Sequence, residues 1–373
     1  MTQTPTRRKM NSPNKLKLGL FGANCSSGRV VTTAPERWPG SWEACLQLAK
    51  MADQAGIEFM LPIARWKGYG GDTDFQGTTL ETNTWAAGLL AATKNLTVFS
   101  TMHVPLFHPV VAAKQMVTAD HIGSGRFGLN IVCGWNEDEF EMMGLDLREH
   151  DTRYEYAQEW LDAVEQMWFG EDDFDFNGRF FNLRKVRAKP KPHGGTRPFI
   201  MNAALSPVGQ AFAVRNCDAL FSNPPSEGGV DFSGVVNGTK ALARQQNREV
   251  DVYTVAAVTC RPTEKEARDY HHSAVLGQAD WTAVDALISV RIKDMYALPP
   301  EELQKIRTKM ALGQGGTPMI GDPDQVAASL VALANSGITG IGLSLVNYVD
   351  ELPYFCDEVL PRLEKLGVRK AHR

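Results

Sequence analysis

At 373 residues the chain suits two ordinary domains or one large α/β barrel. Hydrophobic residues make up 43% and charged residues 22%, so a sizeable core can form without metal or disulfide support. With 39 basic and 43 acidic residues the net charge is −4, which speaks against a nucleic-acid binder, and no apolar run approaches the ~18 residues of a membrane-spanning helix.

Residues 1–14 hold Arg7, Arg8 and Lys9 with no apolar stretch after them, so they read as a flexible tail and not a signal peptide. The run from Lys15 to Phe21 alternates and then turns apolar, which predicts a first strand. Ser41 caps a helix that stops at Gly56, and residues 57–63 read as the next strand. Helical periodicity over 79–93 precedes the β-rich 96–101, and Pro109 opens a helix ending at Gly123. Further strands fall at 127–133, 199–202, 219–222, 250–258 and 338–345. Ser206-Pro207 and Asp322-Pro323 are helix starts, a helix lies near 236–246, and the last helix begins at about Glu351.

Eight strands, starting near 15, 57, 96, 127, 199, 219, 250 and 338, alternate with helices. That rhythm predicts an α/β fold, a parallel sheet closed as a (β/α)8 TIM barrel with helical insertions at its C-terminal face. One domain spans 15–373, with insertions at about 135–183, read as extra helices, and at 261–316. The second ends in Gly313-Gln-Gly-Gly316, which reads either as a lid hinge or as a connector without fixed structure. Cys25, Cys45, Cys133, Cys217, Cys260 and Cys356 form no CxxC pair, which points to a reducing, cytoplasmic compartment with no disulfide framework.

Gly68-Tyr-Gly-Gly71 lacks the spacing of a dinucleotide fingerprint and reads as a flexible turn. His103 and His108 flank the end of a predicted strand, the right place for a site, but lack the clustered ligands of a metal centre. The stretch 123–154 is the most informative. Asn130 sits inside an apolar strand, where its amide is costly unless it finds partners. Gly134-Trp135 follows as an aromatic pocket wall, and Arg153-Tyr154 begins a helix as a phosphate-binding pair would. Two readings stand: a ligand site, or a structural Asn130 bonded to backbone with Arg153 paired to Glu149.

The motifs Arg65-Trp-Lys-Gly-Tyr-Gly-Gly71, Asp120 to Asn130, Gly134-Trp135 with Glu139, and Arg153-Tyr154 resemble those of the bacterial luciferase-like flavin-dependent monooxygenases. The resemblance runs from about 15 to 365 and is strongest to the branch of the pyrimidine and dimethyl sulfone monooxygenases. It implies an enzyme without a reductase domain of its own, which takes reduced FMN from a separate NAD(P)H-dependent flavin reductase, a transient partner, and uses dioxygen. Flavin contacts are implied at Ala64, Arg65, Asn130, Glu139, Arg153, Tyr154 and Ser206, and an oxygen pocket at Thr101 and Asn130. His103 and Trp135 join the catalytic candidates, and Phe21, Asn24 and Tyr348 are substrate-side candidates from their places near strand ends.

The implied reaction inserts one oxygen atom into a small heterocyclic or organosulfur compound and breaks a carbon–heteroatom bond. Two departures matter. Asn202-Ala-Ala-Leu-Ser206 stands where relatives carry a glycine-rich form, and Gly134-Trp135 replaces the Gly-Ser of the alkanesulfonate branch, which makes a sulfonate substrate less favoured. Relatives imply a homodimer or homotetramer. A deazaflavin-dependent dehydrogenase on the same fold, or a non-catalytic flavin-binding protein, are the alternatives.

Overall fold

A computed structural model of the chain describes residues 14–223, 229–292 and 294–372. The expected tail lies outside the described residues except for Asn14, whose amide donates to Glu58 Oε1 at 2.6 Å. The strands are β1 (Lys17–Phe21), β2 (Phe59–Leu61), β3 (Thr97–His103), β4 (Phe127–Val132), β5 (Phe174–Asn177), β6 (Asn182–Val186), β7 (Phe199–Ala203), β8 (Ala219–Phe221), β9 (Asp251–Cys260), β10 (Thr317–Gly321) and β11 (Gly340–Ser344). The α-helices are α1 (Trp42–Ala55), α2 (Thr82–Ala92), α3 (Pro109–Ile122), α4 (Glu137–Met142), α5 (His150–Phe169), α6 (Pro207–Asn216), α7 (Ser233–Gln245), α8 (Glu264–Tyr270), α9 (Trp281–Ser289), α10 (Pro300–Ala311), α11 (Pro323–Asn335) and α12 (Tyr348–Lys365).

All eight expected strands are present. Their order is β9-β11-β1-β2-β3-β4-β7-β8, with β9 also pairing β8, so the fold is a (β/α)8 TIM barrel. Two elements depart from expectation. β10 follows the glycine run and adds to the outer half of β9, with Pro318, which has no N–H, tolerated in this added strand. The first excursion holds two helices and also an antiparallel hairpin, β5–β6, whose half-exposed alternation looks like loop sequence.

The start and stop signals act as the sequence implies. Ser41 Oγ accepts from Ala44 N, Gly56 ends α1 at φ +74°, and Asp322 forms a capping box with Gln325 ahead of Pro323. Among the described residues no helix is long and apolar enough to cross a membrane.

The described residues fall into two compact units: 82–221 with 239–250, and the remainder. In the first, β3, β4, β7 and β8 lie parallel, with Thr101 opposite Asn130 and Asn202 opposite Ile131. Phe99 and Phe199 meet edge to face at 6.0 Å, and Gly128 is required beneath them because a Cβ there would lie 2.5 Å from the Phe99 ring. In the second, β2, β1, β11 and β9 lie parallel. The excursion after β9 is anchored on the loop after β1: Val31 N donates to Ala311 O, Asp280 N to Val31 O, and Val30, Val275, Leu312 and Val346 pack with Ala257.

Candidate active site

In the first unit, the polar side chains gather where β3, β4 and β7 end. Asn130 Nδ2 donates to Thr101 Oγ1 at 3.2 Å, and Thr82 Oγ1 donates to Thr101 O at 2.7 Å. Asn130 is bonded to a side chain and not to backbone. Its Oδ1 is buried with no hydrogen-bond partner among the described residues, an expensive state unless a ligand supplies one. Asn202 on β7 behaves alike: Nδ2 donates to Ile131 O at 2.7 Å and Oδ1 has no partner among the described residues. His103 closes β3, with Nδ1 3.7 Å from Glu139 Oε2, and both side chains are almost fully buried. His108 instead caps α3, accepting from Val110 N.

Glu139 stands on α4, after the turn at Gly134, whose φ of +96° and lack of a Cβ let Phe140 come close. Half-buried Trp135 lies between them. Arg153 donates from Nη1 to Gly134 O at 2.6 Å, while its Nε is buried and unpaired among the described residues. Glu149 is occupied elsewhere, accepting from Asp151 N and Thr152 N at the start of α5, so the Arg153–Glu149 pairing does not form. Tyr154 reaches the first turn of α6: a Cβ on Gly209 would lie 2.4 Å from its hydroxyl. Ser206 caps that helix by accepting from Gly209 N at 3.2 Å. Burial, chiefly, raises the Tyr154 pKa, with Ser206 pulling the other way, and burial pushes the Cys133 thiol up to about 12. The cluster therefore offers hydroxyls, a guanidinium Nε and a helix N-terminus, the donors an organic phosphate accepts.

In the second unit, Ala64 and Arg65 follow β2 and are buried, with the Arg65 guanidinium 4.8 Å from the centre of the Tyr69 ring. The glycines after it build a closed turn: Gly70 and Gly71 have φ of +66° and +75°, and a Cβ on Gly71 would lie 2.4 Å from Asp280 Oδ1. Asn24 is completely buried and its amide is occupied by backbone: Nδ2 donates to Ile63 O and Leu80 O, and Oδ1 accepts from Ile63 N. Tyr348 is also completely buried; its hydroxyl donates to Phe21 O and its ring meets Trp38 at 5.0 Å. These two brace the chain around Phe21. Asn202 and Arg29 escaped the sequence reading. Asn202 carried a signal like that of Asn130, an amide within an apolar strand, whereas Arg29 is a cation among small and apolar residues past β1.

The family model "Luciferase-like monooxygenase" matches residues 16–340. The FMNH(2)-dependent dimethylsulfone monooxygenase of Pseudomonas putida is 30% identical over 358 residues, covering 94% of this chain and 96% of that protein. Pyrimidine monooxygenase RutA of Acinetobacter baylyi is 27% identical, covering 93% and 94%. Among solved structures, DmoA from Hyphomicrobium sulfonivorans superposes with a TM-score of 0.85 at 16% identity, covering 96% of this chain and 90% of that one. With the barrel, the match over most of its length and relatives aligned nearly end to end, this chain belongs to the luciferase-like monooxygenase family of oxidoreductases.

Proposed function

We propose that the chain is the oxygenase of a two-component flavin system. It takes reduced FMN from a separate NAD(P)H-dependent flavin reductase and uses dioxygen to oxygenate a small heterocyclic or organosulfur compound, with carbon–heteroatom cleavage. The observation that carries this reading is the buried Thr101–Asn130 pair, in register on adjacent strands and still holding an unpaired Oδ1. Relatives named as FMNH(2)-dependent support it.

The residues present fit FMN. Arg153 Nε, the Tyr154 and Ser206 hydroxyls and the start of α6 take the phosphate, with Gly209 keeping the hydroxyl close. Glu139 completes the flavin contacts of this unit, while Ala64 and Arg65 keep the flavin-binding role that the resemblance implies for them. When bound, reduced FMN supplies the electrons for dioxygen activation. Asn130 keeps a second Nδ2 hydrogen beyond the one given to Thr101, so amide and hydroxyl together hold an oxygen species in a place shielded from water. His103, with Nδ1 toward Glu139, moves a proton at Nε2, and the Trp135 ring excludes water. Phe21 lines the substrate side, held by Tyr348, while Asn24 fixes the loop after β2.

Anaerobic titration of the protein with reduced FMN, oxidised FMN and reduced deazaflavin tests the reading. Reduced FMN should bind best. A preference for deazaflavin would move the chain to hydride transfer, and binding without turnover of any sulfone or pyrimidine by the reductase-coupled enzyme would leave a flavin carrier.

A further inference from the structure

The loop after β1 carries a buried cation with no counter-ion among the described residues. Arg29 is 6% exposed, and its only hydrogen-bond acceptor among the described residues is Gly313 O, 2.8 Å from Nη2. Its guanidinium lies 4.3 Å from the centre of the Phe21 ring. A carbonyl and an aromatic face are both neutral. Arg29 Nε is buried with no acceptor among the described residues.

Among the described residues no carboxylate forms an ion pair with Arg29, and the groups acting on it most strongly are Tyr348, which favours its charge, and Arg291, which opposes it. Burial brings the guanidinium down to about 10, so it keeps its charge at neutral pH. A second buried donor lacks an acceptor among the described residues: Nε2 of Gln314, the residue after the Gly313 whose carbonyl Arg29 grips. Its position is fixed by a left-handed turn, with φ of +137°, +56° and +85° at Gly313, Gln314 and Gly315.

A desolvated guanidinium without an anion is strongly unfavourable, and the fold has nonetheless built a turn to hold it. We propose that Arg29 is a specificity-determining residue: it binds the oxygens of a small organic anion, a carboxylate in preference to the sulfonate that Gly134-Trp135 disfavours, with the Gln314 amide as a second donor. The inference rests on the oxygenase reading above and narrows its substrate to an anionic compound, bound where Phe21 stands.

Ligand-observed NMR at constant ionic strength tests it directly, with butanesulfonate and butyrate as probes and butanamide as the neutral control. The wild-type chain should bind at least one anion tenfold or more tightly than butanamide. Arg29→Gln should abolish that preference and Arg29→Lys should restore part of it. Equal affinity for anion and amide in the wild type, or an unchanged preference in Arg29→Gln, would overturn the proposal. Should Arg29→Gln not fold, the wild type alone decides: the anions and not butanamide should raise its melting temperature. Reduced-FMN binding measured on the same samples separates the outcomes, since loss of flavin binding with retained anion preference defeats the oxygenase reading only.

Discussion

Arg126 and Arg369 stand where strands begin, Arg29 and Arg153 beyond where strands end, and the two pairs are bonded differently. Arg126, just before β4, gives Nη1 to Thr93 Oγ1 and Leu96 O and Nη2 to Leu90 O and Thr93 O. Arg369 pairs with Glu58 at 2.7 Å, and Glu58 also accepts from Leu18 N just before β2 begins. These cations are closed off in the fold. Among the described residues Arg29 and Arg153 each keep a buried Nε without a partner, as Asn130 and Asn202 each keep a buried Oδ1. Barrels of this kind hold their stability at the N-terminal ends of the strands and their chemistry at the C-terminal ends, and these four arginines follow that division. Within each unit, unpaired polarity at the strand C-termini marks what a ligand must complete.

The sharpest way to break this contrast is to compare stability with function at the two ends. Arg369→Met leaves the Glu58 carboxylate buried and unpaired, which should cost about 3–5 kcal/mol in unfolding experiments while the folded fraction binds flavin normally. Asn130→Ala should do the reverse, lowering turnover about 100-fold with little change in melting temperature. A comparable loss of stability in Asn130→Ala would erase the distinction. Arg153→Gln removes a charged donor worth about 1.5–3 kcal/mol and should weaken reduced-FMN binding by roughly tenfold to a hundredfold, read by anaerobic titration. Gly209→Ala, which drives a methyl into the Tyr154 hydroxyl, should act in the same direction.

The smallest effect tests an exception. Asp120, near the end of α3 and ahead of β4, is a buried carboxyl pushed up to about 6 by desolvation, against the pull of the His193 N–H and of His121. Because its pKa is raised above the ordinary 3.8, the stability it contributes is full below pH 3.8 and is lost as pH rises through about 6. Asp120→Asn stays neutral and should flatten the dependence of melting temperature on pH across that interval. An unchanged slope would show that Asp120 is not the titrating group.

Much of the barrel was legible because its strands are apolar runs bounded by strong punctuation. Ser41 with Gly56, Pro109 with Gly123, and Asp322-Pro323 mark helix boundaries through hydrogen bonds local enough to read from neighbours. Asn130 and Arg153 were visible as polar residues where an apolar strand or a helix start makes them conspicuous. The hairpin β5–β6 was not, since Phe174 to Asn177 and Asn182 to Val186 bury only part of their side chains and the pairing depends on a turn between them. Asn24 and Tyr348 sit near the right ends of strands, yet their polar atoms bond backbone far along the chain, which no local pattern reveals. Arg29 depends on a carbonyl 284 residues away, so its missing counter-ion appears only once the fold brings Gly313 to it.

The most direct test of the claim that the Thr101–Asn130 pair completes itself with an oxygen species is a stopped-flow experiment. Protein is mixed anaerobically with reduced FMN, pulsed with dioxygen, and followed by absorbance, with Asn130→Ala alongside. The account predicts that the wild type reoxidises its flavin on a course distinct from free FMN and that Asn130→Ala loses this difference while still binding reduced FMN. Reoxidation of the wild type at the rate of free flavin, or identical traces for the two proteins, would contradict it.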